Sequence, residues 1–292
     1  MFRGTYTALV TPFSNDRIDE SSLGRLIEFQ IENGITGIVP VGTTGESPTL
    51  DHAEHTRVIE FAVLEAKGRC KVIAGTGSNS TSEAVTLTRD AENVGADAAL
   101  LVAPYYNKPS QEGLFQHFRA IARETKLPIV LYSIPGRCGI EIGVETVKRL
   151  AVECKNIIGI KEAGGSCDRV SQLRAALGPK FTILSGDDSL TLPFMAVGAQ
   201  GVISVASNVI PREVSQMVGA FARGDIKRAS QFHAKFYPVF KDLFLETNPV
   251  PVKAALAMMG FIEEEYRLPL VKMSDANRAK LKATLKACEV MK

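Results

Sequence analysis

The sequence has few of the residues that would mark a metal site, a disulfide framework or a strongly charged surface. It contains only four histidines and five cysteines in 292 residues, and no two cysteines form a C-x-x-C pair. Scattered cysteines in odd number predict free thiols in a reducing compartment rather than disulfides or a zinc site. With 34 basic and 32 acidic residues, the net charge is only +2. The sequence therefore has no signature of a nucleic-acid or membrane surface.

Long apolar segments and targeting signals are also missing. No apolar run approaches the ~20 residues of a membrane-spanning helix. The first residues enter a strand pattern without the apolar core of a signal peptide, and we therefore expect a cytoplasmic protein. The remaining composition is that of an ordinary globular protein, 45% hydrophobic and 23% charged. Its length suits one large domain or a barrel with an appendage.

Strand-like and helix-like segments alternate from the start of the chain. Short runs of β-branched and apolar residues predict eight strands, at residues 7–10, 37–41, 71–74, 98–102, 128–132, 156–161, 181–184 and 201–204. Apolar residues recur at helical spacing between them, and Asp51 with Glu54 and Ser80 with Glu83 match helix-capping pairs. Buried strands with intervening helices predict a parallel sheet covered on both faces, most simply a closed (β/α)8 TIM barrel.

The alternative to a barrel is an open, doubly wound sheet, but no G-x-G-x-x-G turn follows the first strand. After about residue 225 the pattern becomes wholly helical. Apolar residues from Phe232 to Phe244 share one predicted face, and N-P-V-P at 248–251 breaks the run. We therefore predict a catalytic barrel over residues 1–225 and a C-terminal helical domain over residues 226–292.

Lys161 is unusual because it lies at the end of a predicted buried strand. The run N-I-I-G-I-K occupies residues 156–161, and a glycine pair follows at 164–165. Lysine is rarely buried without a partner. Burial penalises its charged form and can make the neutral amine a nucleophile toward carbonyl groups. From this segment alone, Lys161 is either such a nucleophile or a strand-end lysine whose amine reaches water.

Chemistry in a (β/α)8 barrel lies at the carboxyl ends of the strands. The residues at these ends are hydroxyls, glycines and few carboxylates, with no histidine, so we expect no metal site. The loop G-T-T-G-E at 42–46 can present backbone N–H groups to a small anion. Tyr132 can carry a proton, and Arg137 can bind a carboxylate through two hydrogen bonds. Each also has a plainer interpretation, as a turn, a core side chain or a solvated loop residue.

Taken together, four ordered motifs resemble the dihydrodipicolinate synthase family. They are G-T-T-G-E at 42–46, P-Y-Y-N at 104–107, Y-S-I-P-G-R at 132–137 and G-I-K-E at 159–162. G-D-D at 186–188 and N-P-V-P-V-K at 248–253 extend the resemblance along the whole chain. The resemblance implies a Schiff-base lyase that condenses pyruvate with L-aspartate-4-semialdehyde, on the route to lysine and diaminopimelate. It also implies no cofactor beyond the covalent imine, and a homotetramer built as a dimer of dimers.

The resemblance assigns roles to individual residues. Lys161 would form the imine with pyruvate. Tyr132 would shuttle protons, relayed through Thr44 and through the partner subunit's Tyr106. Arg137 would bind the carboxylate of the semialdehyde. Four positions would bind the pyruvate carboxylate through side chains or line the pocket with backbone groups, namely Thr43, Thr44, Gly186 and Ile203.

Two residues beside these positions depart from the common family pattern. Ser133 replaces an asparagine after the tyrosine, and Cys138 replaces a threonine after the arginine. Both flank predicted catalytic residues, so they affect the fine geometry of the site rather than its chemistry.

The resemblance further predicts inhibition by L-lysine at a separate cleft. In lysine-sensitive members the matching positions face the tight-dimer interface, and here they are Ser47, Pro48, His52, His55, Asn79, Glu83 and Tyr105. Glu83 offers a carboxylate to the ammonium group of the effector, while Asn79 and Tyr105 can hydrogen-bond its carboxylate. Pro48 stands where alanine is common. The plain interpretation of the two histidines is a solvated start of a helix.

Two alternative functions remain open at the level of the sequence. Another pyruvate-dependent aldolase, acting on N-acetylneuraminate or a keto-deoxy sugar acid, would share Lys161, Tyr132 and a similar glycine-rich loop. We use Arg137 to discriminate, since a sugar pocket favours hydroxyl partners at that position. The other alternative is a non-catalytic binding barrel. The combination of Lys161, Tyr132 and Thr44 argues against it, because a binder has no use for a lysine beside proton carriers.

Overall fold

The computed structural model describes residues 2–291 and contains the predicted barrel. Within these residues, eight parallel strands close into one sheet, each paired with its neighbours in the chain and the last with the first. The strands are β1 Gly4–Ala8, β2 Gly37–Val39, β3 Lys71–Gly75, β4 Ala98–Val102, β5 Ile129–Ser133, β6 Ile157–Glu162, β7 Thr182–Ser185 and β8 Gly201–Ser204. A short antiparallel hairpin, Phe13–Ser14 with Arg17–Ile18, follows β1.

Helices alternate with the strands and cover the outside of the barrel. They are α1 Glu20–Glu32, α2 His52–Ala66, α3 Thr81–Asn93, α4 Gln111–Arg123, α5 Val144–Glu153, α6 Cys167–Leu177, α7 Thr191–Ala196 and α8 Pro211–Ala222. Both predicted caps are present: Asp51 and Glu54 form a capping box at α2, and the Ser80 side chain caps α3. These caps satisfy backbone N–H groups that the first helical turn leaves unpaired.

The side chains form two apolar layers because successive residues of a strand point to opposite faces. The inner layer fills the barrel with residues from alternate strand positions, namely Tyr6, Ala8, Val39, Ile73, Ala98, Leu100, Val130, Tyr132, Leu184 and Ile203. The outer layer lies between the strands and the helices and is much larger. The interior is therefore a packed core, as expected for this fold.

Three further helices follow the barrel: α9 Ile226–Asp242, α10 Val250–Met258 and α11 Asp275–Ala287. Helix α9 packs against α8 and α11, and α10 packs against α11. Their apolar residues join the outer layer of the barrel, so the division at residue 225 stays a prediction. Phe244 was predicted on the buried face, but it is 45% exposed because α9 ends at Asp242. None of the helices in residues 2–291 has the length and apolar character needed to cross a bilayer.

Candidate active site

The carboxyl ends of β5 and β6 place Tyr132 beside Lys161. The two residues are register partners in the parallel sheet, and the Nζ atom of Lys161 lies 4.1 Å from the centre of the Tyr132 ring. Both side chains are buried, at 6% exposure for the lysine and 5% for the tyrosine. The next residue, Glu162, has the opposite orientation and pairs with Arg169 outside the sheet, at 2.8 Å. Strand alternation thus directs the lysine into the barrel and the carboxylate away from it.

The surroundings of Lys161 favour its neutral form. Burial lowers the pKa of Lys161 to about 7, the carboxylate of Asp188 opposes this shift, and Arg137 adds to it. Burial also raises the pKa of Asp188 to about 6, although backbone N–H groups of Val205 and Ala206 donate to it at 3.0 and 2.9 Å. At neutral pH a large fraction of the Lys161 amine is therefore unprotonated, as nucleophilic attack on a carbonyl group requires.

Tyr132 keeps its proton at neutral pH. Burial raises the pKa of Tyr132 to about 12, and this rise is only partly offset by the charge of Arg137 and a hydrogen bond with Thr43. A protonated phenol next to a neutral amine can donate to oxygen atoms of a bound carbonyl compound. The pair therefore has the components of acid–base chemistry at a carbonyl carbon.

The G-T-T-G-E loop after β2 is held tightly. Thr11 donates its hydroxyl hydrogen to the Gly45 carbonyl at 2.7 Å. A Cβ atom at Gly45 would lie 2.8 Å from the Val41 nitrogen, so only glycine fits there. Thr44 is buried, and its hydroxyl oxygen accepts a hydrogen bond from Asn248 Nδ2 at 3.0 Å. Thr43 lies closer to solvent and faces the cavity beside Tyr132.

Arg137 lies at the mouth of the barrel in a one-turn helix, Pro135–Cys138, directly after β5. Its side chain is exposed, and Nη2 donates to the carbonyl oxygen of Asn248 at 3.2 Å. This single backbone contact leaves other guanidinium donors available to a ligand. An arginine in this position can bind a carboxylate that enters above Lys161.

Gly186 and Ile203 lie on the side of Lys161 that is away from Tyr132, after β7 and on β8. A Cβ atom at Gly186 would approach the Lys161 Cε at 3.1 Å and the Ala163 Cβ at 2.6 Å, so the absence of a side chain leaves room for the lysine. Ile203 belongs to β8 and to the inner apolar layer, and it is 1% exposed. Both residues therefore border the lysine-containing end of the barrel interior.

A cavity of about 390 Å³ connects this end of the barrel to the loop region around α2 and α3. Its walls include three residues predicted for the active site, Thr43, Tyr132 and Arg137, and six predicted for the lysine cleft, Ser47, Pro48, His52, His55, Glu83 and Tyr105. The structure therefore places part of each predicted site on the wall of one cavity, whose lining does not include Lys161, Thr44, Gly186 or Ile203.

The two histidines of α2 have different environments although they lie three residues apart. His52 is exposed, and its Nε2 lies 2.9 Å from Glu83 Oε1. The Ser78 hydroxyl donates to the other Glu83 oxygen, and these two contacts hold the pKa of Glu83 below its ordinary value. His55 is buried and donates from Nε2 to the Gly75 carbonyl at 2.9 Å. No group of three or more His, Cys, Asp or Glu side chains within residues 2–291 is placed to hold a metal ion.

The P-Y-Y-N loop presents an aromatic side chain to solvent. Tyr106 is 90% exposed and has a φ of 70°, an uncommon conformation for a residue with a side chain. The loop is tied to Asn79, which donates to the Tyr105 carbonyl at 3.2 Å and accepts from Asn107 at 2.9 Å. The Tyr106 ring is therefore almost entirely free of contacts with its own barrel.

Four polar residues of this region received no role from the sequence, although the motifs contain them. They are Glu46, Asp188, Asn248 and Lys253, and all four are buried. Their side chains contact residues up to 207 positions away in the chain. A charged or amide residue within a motif of glycines and apolar residues is the sequence signal that could have singled out such positions.

The fold and the site together define a (β/α)8-barrel protein with a buried, readily deprotonated lysine at the end of its sixth strand. Residues 1–288 match the model of the dihydrodipicolinate synthetase family, and the chain belongs to this family. The family resemblance of the motifs is thereby confirmed.

Individual relatives agree with the family assignment. The 4-hydroxy-tetrahydrodipicolinate synthase of Aquifex aeolicus (strain VF5) is 54% identical over 286 residues, which cover 98% of this chain and 97% of the relative. The structure of 4-hydroxy-tetrahydrodipicolinate synthase from Methylacidiphilum fumariolicum SolV is 58% identical with a TM-score of 0.98, covering 99% of this chain and 96% of that one. The structure of the synthase from Cyanidioschyzon merolae with lysine bound is 40% identical with a TM-score of 0.97, covering 99% of each chain.

Proposed function

We propose that the protein condenses pyruvate with L-aspartate-4-semialdehyde through a lysine Schiff base, giving 4-hydroxy-tetrahydrodipicolinate on the route to lysine and diaminopimelate. The observation that carries this proposal is the buried Lys161 amine, whose pKa burial lowers to about 7, placed 4.1 Å from the ring of Tyr132. Family membership and relatives named as this synthase support the same reaction. Supply of an amino-acid precursor also fits the cytoplasmic location that the sequence predicts.

The reaction follows from the chemistry of the imine. The neutral Lys161 amine adds to the keto carbon of pyruvate, and loss of water gives an iminium ion. The iminium withdraws electrons from C3 of pyruvate, which loses a proton and becomes an enamine. The enamine carbon attacks the aldehyde carbon, and the new alkoxide takes up a proton. The amino group from the semialdehyde then displaces the lysine from the imine carbon, which closes the ring and frees the enzyme without an added cofactor.

Tyr132 is the proposed proton carrier for these steps. Its pKa, raised to about 12 by burial, keeps the phenol protonated, so it can donate to the departing hydroxyl of the carbinolamine and to the new alkoxide. Thr44, with the partner subunit's Tyr106, relays protons to it in this scheme. Thr43 and Thr44 bind the pyruvate carboxylate, while backbone groups of Gly186 and Ile203 line the pocket.

Arg137 is the proposed determinant of the second substrate. It lines the cavity at its exposed mouth, and one of its N–H groups donates a hydrogen bond to the Asn248 carbonyl. A guanidinium group there suits the carboxylate of the semialdehyde. A sugar acid would instead need several hydroxyl partners, so this contact favours the synthase over an aldolase acting on N-acetylneuraminate or a keto-deoxy sugar acid.

A homo-oligomer is part of the proposal. Tyr106 is the most exposed large hydrophobic residue among those described, at 90%. Aromatic surface of this kind favours an interface with a second copy of the chain. We infer a tight dimer in which each Tyr106 completes the active site of its neighbour, with two dimers forming a tetramer.

L-lysine is the proposed allosteric inhibitor. The cavity end formed by Ser47, His52, His55, Glu83 and Tyr105 carries one carboxylate whose pKa is held low, by Ser78 first and by His52. That carboxylate suits the effector ammonium, and Asn79 lies beside Tyr105 to bind the effector carboxylate. The synthase structure from Cyanidioschyzon merolae supports this proposal, because it has lysine bound and its fold is similar to that of this chain.

A substrate panel tests the proposed function. Purified protein is assayed with pyruvate plus L-aspartate-4-semialdehyde, and separately for cleavage of N-acetylneuraminate and of keto-deoxygluconate. We expect condensation with the semialdehyde at a rate at least about 100-fold above either cleavage, since a missing polar partner in a binding site costs this much or more. Cleavage of a sugar acid as the faster reaction would replace the proposal with the aldolase alternative. The Lys161→Ala variant is the control, since it gives the rate that does not depend on the lysine amine.

A further inference from the structure

A buried ion pair links the C-terminal helices to the G-T-T-G-E loop. Lys253 of α10 and Glu46 of the loop are both 0% exposed, and Nζ of the lysine lies 2.5 Å from Glu46 Oε1. The lysine also lies over the ring of Phe13, at 4.4 Å from its centre. The second Glu46 oxygen accepts from the backbone N–H of Arg267 at 3.4 Å. Because removing two charges from water is costly, a buried pair is weak evidence of net stabilisation, and its contacts have to be considered for another role.

Glu46 is well placed to fix the position of the G-T-T-G-E loop. Its backbone is in the left-handed region, with a φ of 54°, and its N–H donates to the Thr43 carbonyl at 3.2 Å. The adjoining Gly45 N–H donates to the Gly42 carbonyl at 3.1 Å. These internal bonds connect Glu46 directly to Thr43 and close the turn around Thr44, so the position of Glu46 constrains that of both threonines.

Asn248 forms a second link from the same C-terminal segment. Its side chain donates to the Thr44 hydroxyl at 3.0 Å, and its carbonyl accepts from Arg137 at 3.2 Å. Lys253 is tied to this segment because its backbone N–H donates to the Pro249 carbonyl at 3.0 Å. Residues 248–253 therefore contact the threonine loop at two points and the arginine at one.

We propose that Lys253 and Glu46 are positioning residues that, together with Asn248, set Thr43 and Thr44 for binding the pyruvate carboxylate. The C-terminal helices thereby control how well the barrel binds its first substrate. This inference rests on the proposed function, since it assumes that pyruvate is bound by the threonine loop. Neither Lys253 nor Glu46 needs to touch the substrate, because both act through the position of the loop.

The test uses the Glu46→Gln/Lys253→Met double variant, which removes both charges and keeps similar side-chain volume. The measured quantity is the pyruvate concentration that half-saturates imine formation, with trapping by borohydride and no aldehyde present. We expect this concentration to rise about tenfold, since small displacements of positioning groups have effects of this size or larger. The melting temperature should fall less than in Lys253→Met alone, because the double variant leaves no unpaired charge buried. Lys253→Met alone should lower the melting temperature, since it leaves Glu46 without its partner.

Lys235→Met is the matched control. Lys235 of α9 forms an ion pair with Glu289 at 2.6 Å, but both side chains are exposed. Removing this pair should leave half-saturation and melting temperature unchanged. The aldehyde concentration that half-saturates the complete reaction should change less than about twofold in the double variant, since neither substitution removes the hydrogen bond from Arg137 to the Asn248 carbonyl.

Half-saturation by pyruvate at the wild-type concentration in the double variant would overturn the inference, whatever its melting temperature. If the double variant does not fold, Glu46→Asp alone gives the same two outcomes, because it keeps the charge pair but shortens the link between the loop and Lys253. Wild-type protein that traps no pyruvate would instead overturn the proposed function. The two failures are therefore distinguishable.

Discussion

Lys161 and Tyr132 are register partners on neighbouring strands, and the lysine Nζ lies 4.1 Å from the centre of the tyrosine ring. This relationship is set by the register of the two strands, since the residues are 29 positions apart in the sequence yet pair side by side in the parallel sheet. It places a buried amine next to a protonated phenol. The predictions below test what each of these groups and their neighbours do.

Imine formation should depend on pH with a midpoint near 7. Burial lowers the pKa of Lys161 to about 7, so the neutral fraction rises through this pH and then levels off, whereas an ordinary lysine would keep gaining reactivity up to about pH 10. The initial rate of borohydride-trapped pyruvate, measured between about pH 5.5 and 9, gives the midpoint. A rate that keeps rising throughout this range would show that the lysine has an unshifted pKa.

The Arg137→Ala variant should move this midpoint and also impair the second substrate. The positive charge of Arg137 helps to lower the pKa of Lys161, so its loss should raise the midpoint. If the arginine binds the semialdehyde carboxylate, the KM for the semialdehyde should rise at least about 100-fold, while imine formation with pyruvate remains. Arg57→Ala, which removes an exposed arginine paired with Glu20, is the control for both measurements. Equal damage to the two half-reactions would contradict the assigned role.

The lowered pKa of unreacted Lys161 should reduce the free energy of unfolding at neutral pH. The pKa of Lys161 is about 7 in the folded protein against an ordinary value of 10.5, so between these values the unfolded chain binds more protons and stability rises with pH. Each unit of pKa shift corresponds to about 1.4 kcal/mol. The lowering from 10.5 to about 7 therefore corresponds to about 5 kcal/mol, and we expect Lys161→Met to be more stable than the wild type by an amount of this order near pH 6. Chemical denaturation at about pH 6 and 9 checks this, and a difference that does not shrink as pH rises would contradict it.

Mixing two inactive variants should restore activity if the partner subunit's Tyr106 completes each site. A mixed dimer of Tyr106→Phe and Lys161→Ala subunits contains one site with both groups intact. With random exchange of equal amounts, about a quarter of all sites should be complete. Activity is measured after the two proteins are dissociated and reassembled together. Absence of any gain, or full activity of a monomer in solution, would refute the shared site.

Inhibition by L-lysine should depend on Glu83. We expect partial inhibition that pyruvate does not compete away, and a weaker effect in Glu83→Ala with activity retained, because the ammonium group loses its carboxylate partner. A loss of about tenfold in potency is the expected size for one charged hydrogen bond. Glu112→Ala on α4, which removes an exposed carboxylate paired with Arg149, is the control. Unchanged wild-type rates at millimolar lysine would remove the allosteric proposal and leave the catalytic one intact.

The sequence predicted the fold well because each strand and helix carries its own local signal. The eight strands have the expected order, and the lysine lies at the end of the sixth as predicted. The first strand runs from Gly4 to Ala8 rather than over residues 7–10. Leu9 and Val10 remain buried, so hydrophobicity alone cannot tell where the pairing of a strand stops.

The contacts within the site were harder to predict because they join distant parts of the chain. Asn248 reaches Thr44 across 204 positions, and Lys253 reaches Glu46 across 207. The sequence placed all four residues in motifs but contains no local pattern for their pairing. Likewise, the lowered pKa of Lys161 depends on burial and on Asp188 and Arg137, which only the assembled barrel brings together.

Borohydride reduction in the presence of pyruvate tests the central claim most directly. The reduced imine is stable, so mass spectrometry of the digested protein locates it. The account predicts one pyruvate-derived mass on the peptide that carries Lys161, and none in Lys161→Met. Labelling of another lysine, or no labelling of the wild type, would contradict a Schiff-base mechanism at Lys161.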